Sequence, residues 1–311
     1  MAMPCYCISM NNKIIVICGP TASGKTSTAI GLANLIGAEI ISADSMQIYK
    51  ELNIGTAKPT KEELAKARHH LIDIVSIASG PFSVAKYVKQ AGECAREILQ
   101  RGKRVIVCGG TGLYIDHFLN GTDFAECESD PAYRAELERL PCERLHQMLA
   151  EIDAESAGAI HQNNKKRLVR ALEIYKTTGK TKSELDRLSK AKAPERDFVK
   201  IALNYSDRSE LYGKIDRRVD QMMADGLLCE AKTLCEGGYE DKLRQIGAIG
   251  YAELTDCFSG LCGLEEAVAK TKQHTRNYAK RQLTWFSKDK KTIWIEPGDD
   301  CLKKCLDAIG Q

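Results

Sequence analysis

Short, unbroken apolar runs alternate with stretches of helical periodicity over the first third of the chain. Residues 14–18 form a continuous apolar run that stops at Gly19; a glycine-punctuated segment follows, and then a helical pattern to about Ile36. Ile40, Ile41 and Ala43 form a second buried-type strand ended by Asp44. Residues 83–101 have the length and spacing of one long helix, and 105–108 read as a third strand closed by Gly109-Gly110. Strands separated by helices predict a parallel sheet with helices on both faces. Right-handed crossovers put the loops that follow the strands on one edge of such a sheet. The pattern therefore predicts that 19–26, 44–47 and 109–112, distant in sequence, meet in one cleft.

From about Glu126 the texture changes to charged, helix-favouring sequence with Leu and Ile at helical spacing, running through Ser129-Asp130-Pro131 to roughly Pro194. Residues 198–203 look like a return strand, 208–236, 248–258 and 264–287 like helices, and 292–295 like a last strand. The expected organisation is a disordered extension over 1–12, a core over 13–125, a helical insertion over 126–195, and the rest of the core with further helices over 196–311. The fold class is α/β, a parallel sheet flanked by helices and interrupted by a mainly helical insertion.

The 311 residues are ample for a core, and 43% hydrophobic with 28% charged residues excludes disordered, collagenous and low-complexity classes. No apolar run reaches the ~18 residues of a membrane span. Lys plus Arg is 45 against 42 Asp plus Glu, a net charge of +3 that by itself decides nothing about nucleic acid. The 13 cysteines are odd in number and scattered, with no CxxC pair, so no closed disulfide framework is expected. Cys5-Tyr6-Cys7 has no partner at zinc spacing, and adjacent His69-His70 point apart on one element and are read as structural. The opening lacks the charged and apolar regions of a signal peptide, so a reducing cytoplasm is expected.

Gly19-Pro20-Thr21-Ala22-Ser23-Gly24-Lys25-Thr26 matches GxxxxGK[ST] between a strand and a helix, the context this phosphate-binding motif requires. Its glycines let backbone N–H groups turn inward around a polyphosphate, the helix N-terminus adds its dipole, Lys25 supplies a charge, and the Thr26 hydroxyl can ligate Mg²⁺. An NTP-hydrolysing protein usually carries an Asp at the end of a later strand to hold the metal. Here the third strand ends in Gly109-Gly110-Thr111-Gly112. The loop can therefore grip a diphosphate that leaves intact, although a small-molecule kinase uses the same loop.

Asp44, at the end of the second strand, is either a carboxylate acting as general base or binding metal at the cleft, or the N-cap of a following helix. Gln47 can pair with an amide or a base edge. Three glycines within 109–112 imply close backbone approach, to a ligand or to a neighbouring loop, and Thr111 is either a reactive-side hydroxyl or a helix cap. Two clusters concentrate charge: 161–182 holds seven basic residues against Glu173, and 272–291 holds seven against Asp289, interleaved with Tyr278, Trp285 and Phe286. Two such clusters in a near-neutral chain read as phosphate-backbone tracks with stacking platforms.

Taken together the motifs resemble the tRNA dimethylallyltransferases. The likeness rests on the phosphate loop, Asp44-Ser45-Met46-Gln47-Ile48-Tyr49, Ile54-Gly55-Thr56-Ala57-Lys58-Pro59, His69-His70-Leu71-Ile72-Asp73, Gly109-Gly110-Thr111-Gly112-Leu113-Tyr114, Arg167-Leu168-Val169-Arg170-Ala171-Leu172-Glu173 and Ala279-Lys280-Arg281-Gln282-Leu283-Thr284-Trp285-Phe286. The resemblance implies a P-loop NTPase-like core and transfer of a dimethylallyl group from dimethylallyl diphosphate to N6 of the adenosine immediately 3′ of the tRNA anticodon, with Mg²⁺. By that resemblance, 19–26 bind the diphosphate with Mg²⁺ near Thr26, Asp44 takes the N6 proton, Gln47 orients the adenine, and Thr111, Lys25 and Arg218 attend the reacting groups. Ser45 and Met46, Lys166, Arg167 and Arg170, and Thr275, Arg276, Lys280, Arg281 and Gln282 would contact the RNA, whose target base must be flipped out of its stack. Gly247 and Ala252 stand where members often carry longer polar side chains, which weakens one tRNA contact and leaves the chemistry intact. The absence of a zinc-finger tail suggests the bacterial form, acting as a monomer. A small-molecule kinase with Asp44 as its base, or an RNA-binding module holding a phosphate structurally, would be the alternatives.

Overall fold

A computed structural model describes residues 13–122, 130–191 and 196–310. The expected extension over 1–12, with Cys5-Tyr6-Cys7, and the expected boundary at 125/126 lie outside the described residues. The chain divides into two compact units, one running up to Leu119 and resuming at Arg196, the other spanning Asn120–Glu195.

In the first unit the strands are β1 (Ile14–Cys18), β2 (Ala38–Ser42), β3 (His69–His70), β4 (Arg104–Gly109), β5 (Phe198–Leu203) and β6 (Ile293–Ile295). They form one parallel sheet in the order β3-β2-β4-β1-β5-β6. Every residue of β1 is buried, as a central strand covered on both faces requires, and this is why it reads as an unbroken apolar run. Ser42 and Ile17 both stand opposite Cys108, and Cys18 stands opposite Gly109. The C-terminal ends of β1, β2 and β4 are therefore level, and the three segments that follow them start side by side.

The helices preceding the second unit are α1 (Lys25–Ile36), α2 (Lys61–Lys66), α3 (Val84–Gln100) and α4 (Gly112–Leu119). On α3 the buried Tyr87, Val88, Ala91, Ala95 and Ile98 follow helical spacing, and Ser83 caps the first turn by accepting from the Lys86 N–H at 3.2 Å. α1 has no such cap. Its N-cap is Gly24, left-handed at φ 81° and with no side-chain hydrogen bond to the first amides.

The second unit holds α5 (Pro131–Arg139), α6 (Cys142–Ile152), α7 (Ala154–Ala159), α8 (Lys165–Thr178) and α9 (Lys182–Ala191). Leu137, Leu145, Leu149, Leu168 and Leu172 form its core. Asp130 caps α5 in front of Pro131 at the first helical position. Asp153 accepts from Ser156 N at 3.0 Å and from Ser183 N at 3.0 Å, joining the starts of α7 and α9. Burial pushes the Asp153 carboxyl up, but those hydrogen bonds outweigh it and bring its pKa to about 2.

The first unit ends with α10 (Arg208–Ala224), α11 (Leu227–Glu236), α12 (Glu240–Ile246), α13 (Tyr251–Phe258), α14 (Leu264–Phe286) and α15 (Cys301–Ala308). The single helix expected over 208–236 is two, broken at Gly226 with φ 102°. α12 escaped the sequence reading because Leu243 is its one buried residue, and the helix expected from 248 begins at Tyr251, after Gly250 at φ 93°. The two-residue β3 was also missed, being too short for any periodicity. The ten described cysteines are free. Among the described residues no helix is long and apolar enough to cross a membrane.

Candidate active site

The phosphate loop leaves β1 through Gly19 at φ 132°, packed so tightly that a Cβ there would stand 2.3 Å from the Leu203 carbonyl oxygen. Glycine is needed for both reasons. Ala22 at φ 62° and Gly24 at φ 81° complete a loop curled over the uncapped N-terminus of α1, whose amide protons have no acceptor within the helix. Ser23 is fully buried, and its Oγ has no hydrogen-bond partner among the described residues. Such an end attracts anions through both its N–H groups and its dipole.

Lys25 and Arg218, the latter from α10, line the cleft beside this loop. Neither forms an ion pair with a carboxylate among the described residues; Lys25 Nζ donates instead to the Pro20 carbonyl at 2.5 Å. Burial lowers the Lys25 ammonium to about 8, and the Arg218 guanidinium adds to the depression, while Cys108 and Asp44 oppose it. Burial likewise lowers the Arg218 guanidinium. Two desolvated cations with no carboxylate in ion-pair contact among the described residues mark a place for a multiply charged anion.

Asp44 leaves β2 at the same edge. Its Oδ1 accepts from Met46 N at 2.8 Å and Gln47 N at 3.3 Å, so it caps a turn, where a helix was the expected alternative. Its Oδ2 makes no hydrogen bond among the described residues, and Asp44 is the one carboxylate lining the cleft. One oxygen thus serves the turn, and the other is uncommitted among the described residues. Thr111 also does two jobs. Its carbonyl accepts from Tyr114 N at 3.0 Å at the start of α4, while its Oγ1 accepts from Ser45 N at 3.0 Å and ties the glycine turn to the Asp44 loop.

The close approach implied by the three glycines is to protein. A Cβ on Gly109 would stand 2.2 Å from the Ala43 carbonyl oxygen, one on Gly110 2.0 Å from Gln282 Nε2, and one on Gly112 2.2 Å from the Trp285 ring. β4 ends in Cys108-Gly109 without an acidic residue, and burial pushes the Cys108 thiol up to about 12.

The structure brings Gln47 to the cleft wall but commits its side chain. Nε2 donates to the Thr56 carbonyl at 3.2 Å and the Ala57 carbonyl at 3.1 Å, using both amide protons to hold the loop expected to matter at 54–59. That is a correction to its expected pairing with an adenine edge. Met46 packs into the hydrophobic cluster around Ile48 and Tyr251.

α14 requires a larger correction. Gln282 is only 5% exposed: its Oε1 accepts from Thr21 N at 2.9 Å and its Nε2 donates to the Gly110 carbonyl at 2.9 Å. Phe286 is buried, and Trp285 Nε1 donates to Asp116 Oδ2 at 2.8 Å. Positions 278, 282 and 286 recur every fourth residue and so share one inward face; of the three expected stacking platforms Phe286 is buried, while Tyr278 and Trp285 are half-buried. Thr275 Oγ1 donates to the Thr271 carbonyl at 2.7 Å, and Arg276 pairs with Asp216 at 2.5 Å. Lys280 and Arg281 remain exposed. On α8 of the second unit Lys166, Arg167 and Arg170 are exposed, Arg170 lying 3.7 Å from buried Glu173.

Two cleft residues were missed from sequence. Tyr278 lines the cleft near Asp44, with its hydroxyl raised by burial and by the Asp44 charge. His69 lines it as well. Its Nδ1 bonds the Ala67 carbonyl at 2.8 Å, and burial lowers its pKa. His70 instead pairs with Glu39 at 2.7 Å, away from the cleft lining. A histidine at the end of an edge strand could have been flagged had that strand been recognised. A second groove of about 260 Å³ is lined by Gly247, Ala252, His274 and Arg281 among others, so the two small residues that depart from the family pattern border an exposed cation.

Comparison with known proteins accords with this geometry. A family model described as IPP transferase matches residues 47–289. A tRNA dimethylallyltransferase of Bacillus velezensis is 46% identical over 297 residues, covering 92% of each chain, and one of Caldanaerobacter subterraneus subsp. tengcongensis is 44% identical over 279 residues, 88% of each. Among solved structures, the full-length tRNA isopentenylpyrophosphate transferase of Bacillus halodurans superposes with a TM-score of 0.71 at 40% identity, covering 96% of this chain and 94% of that one. A eukaryotic dimethylallyltransferase acting on tRNA superposes with a TM-score of 0.81 at 30% identity, covering 93% and 74%. With its motifs in the family's order and a P-loop NTPase-like sheet beneath them, the chain belongs to the IPP transferase family.

Proposed function

We propose that this chain transfers a dimethylallyl group from dimethylallyl diphosphate to N6 of adenosine 37 in tRNA, releasing diphosphate. The observation that carries the reading is the pairing, in one cleft, of two cations with a carboxylate that, among the described residues, is the one lining it, forms no ion pair with either cation and has one oxygen without a hydrogen bond. Lys25, Arg218 and the open amides of α1 hold the diphosphate. The flipped adenine presents its amine beside Asp44. As the N6–C1 bond forms, the C1–O bond breaks, its electron pair leaves on the diphosphate, and the N6 proton passes to Asp44. Cationic charge set where negative charge develops on the leaving group favours the transition state over the bound donor. Thr111 keeps the Asp44 loop against the glycine turn.

Magnesium suits this donor set. Among the described residues no cluster of three or more His, Cys, Asp or Glu side chains forms a cage, and Mg²⁺ is commonly held by one or two protein oxygens plus substrate phosphates. The Thr26 hydroxyl, which lines the cleft and has no hydrogen bond among the described residues, would hold it together with the diphosphate oxygens, and the ion would neutralise part of the leaving group's charge.

Exposed Lys280 and Arg281 on one unit and Lys166, Arg167 and Arg170 on the other supply phosphate contacts to the anticodon stem-loop. The reading carries with it a cytoplasmic, monomeric enzyme, supported by free cysteines and by where tRNA is found. Family membership does not favour the small-molecule kinase. Incubation with unmodified tRNA, labelled dimethylallyl diphosphate and Mg²⁺, followed by digestion to nucleosides, tests it: label on adenosine is expected, and phosphoryl transfer from ATP to a metabolite without such label would overturn it.

A further inference from the structure

The residue whose surroundings depart furthest from the sequence reading is Gln282. The geometry points to Gln282 as a positioning residue for the diphosphate site, one carboxamide holding the phosphate loop and the glycine turn at a fixed separation. Its acceptor takes the Thr21 N–H at 2.9 Å, and its donor serves the Gly110 carbonyl at 2.9 Å. The side chain is 5% exposed, so water does not compete well for either bond. Gly110 has no room for a side chain, a Cβ there falling 2.0 Å from Gln282 Nε2. The glycine and the glutamine therefore form a matched pair.

The chemistry of the position is restrictive. A glutamate could accept from Thr21 but would set a second acceptor against the Gly110 carbonyl; a lysine or arginine could donate but not accept. An amide supplies one of each at the required spacing. The consequence lies in the loop. The Thr21 amide is turned toward Gln282, so the loop's curvature is held from outside before any anion arrives, and the anion does not have to organise it on binding. Tyr278, four residues earlier on the same helix, lines the same cleft as Gln282. The helix that exposes Lys280 and Arg281 on another face thus also braces the leaving-group site.

This rests on the transferase reading for the identity of the donor, and the test separates the two. Gln282→Glu and Gln282→Met would be made in the full-length chain. Inorganic diphosphate binding would be measured by calorimetry, KM for dimethylallyl diphosphate and for tRNA by transfer, tRNA binding without donor across a salt series, and folding by thermal unfolding. For both folded variants diphosphate Kd and donor KM are expected to rise by about tenfold or more, the effect of one or two lost hydrogen bonds, with tRNA affinity and its salt dependence unchanged. Gln282→Glu should be the worse of the two for diphosphate although it is the closer in shape. A role in packing alone predicts the reverse order and would overturn the inference. Weakened tRNA binding with diphosphate affinity intact would likewise overturn it and make Gln282 an RNA contact. If the wild-type chain binds diphosphate in this Gln282-dependent way but labels no tRNA, the transferase reading falls and the positioning role stands.

Discussion

Gly109 closes β4 so near to Ala43 that a Cβ on the glycine would stand 2.2 Å from the Ala43 carbonyl oxygen, the same oxygen that accepts from Thr111 N at 3.0 Å. The ends of β2 and β4 are locked together at the point where Asp44 and Thr111 begin. Gly109→Ala is expected to push these segments apart, costing about 1–3 kcal/mol of stability as overpacking does, and to lower kcat more than donor affinity. Thermal unfolding and transfer kinetics together check this; wild-type values in both would show that the contact relaxes without consequence.

Asp44→Asn keeps an oxygen to accept from Met46 and Gln47 but removes the base. Turnover should fall by about 10²–10⁴-fold, the usual worth of a positioned general base, while tRNA binding stays near wild type. An equal loss of both would make Asp44 a positioning residue.

Donor affinity should depend on pH through Lys25. Burial sets its pKa at about 8 against an ordinary 10.5, so the charged side chain costs stability below about pH 8 and that cost fades as pH rises toward 10.5. A bound diphosphate stabilises the charged form. KM for dimethylallyl diphosphate should therefore be flat below pH 8 and rise above it as the proton is lost, binding there being accompanied by proton uptake. Lys25→Met should bind weakly with no such rise, and a rise that persists in the variant would assign the titration elsewhere.

Replacing Lys280 and Arg281 by Ala should weaken tRNA binding and flatten its dependence on log salt by about 1.4–1.8, two phosphate contacts' worth of released counterions. Neither residue is in an ion pair with a carboxylate among the described residues, so folding stability should hold. An unchanged slope removes this face of α14 from the RNA track.

In the helical unit, Asp153→Ala leaves the Ser156 and Ser183 amides without their acceptor and should cost about 2 kcal/mol at neutral pH. The carboxylate's folded pKa of about 2 lies below the ordinary 3.8, so its contribution is complete above pH 3.8 and is lost as pH falls through about 2. The difference in stability between wild type and variant should close over that window in chemical denaturation. A gap independent of pH would mean that the ionised carboxylate is not what joins the helices.

Much of the core and the content of the cleft were legible in the chain itself, for local reasons. β1 is an unbroken apolar run because both its faces are covered, and a glycine-rich loop before a helix start is recognisable because its backbone conformation restricts which residues can occupy it. The parallel order of strands and helices then dictates that 19–26, 44–47 and 109–112 share an edge. What each side chain faces there was decided by packing across hundreds of positions. In sequence Gln47 reads as able to pair with a base edge and Gln282, by resemblance, as an RNA contact, yet Gln282 is consumed by Thr21 and Gly110 and the amide protons of Gln47 by Thr56 and Ala57. Arg218 had to be carried over by resemblance, because nothing in residues 208–224 says which of its cations lacks a partner. Tyr278 entered the sequence reading only as one of three surface stacking aromatics because periodicity shows that a helix has an inner face, not which loops that face will meet. Composition and local pattern determine elements and their order, since those follow from backbone geometry and burial; hydrogen-bond partners depend on where elements far apart in sequence come to rest, and only the tertiary structure settles that.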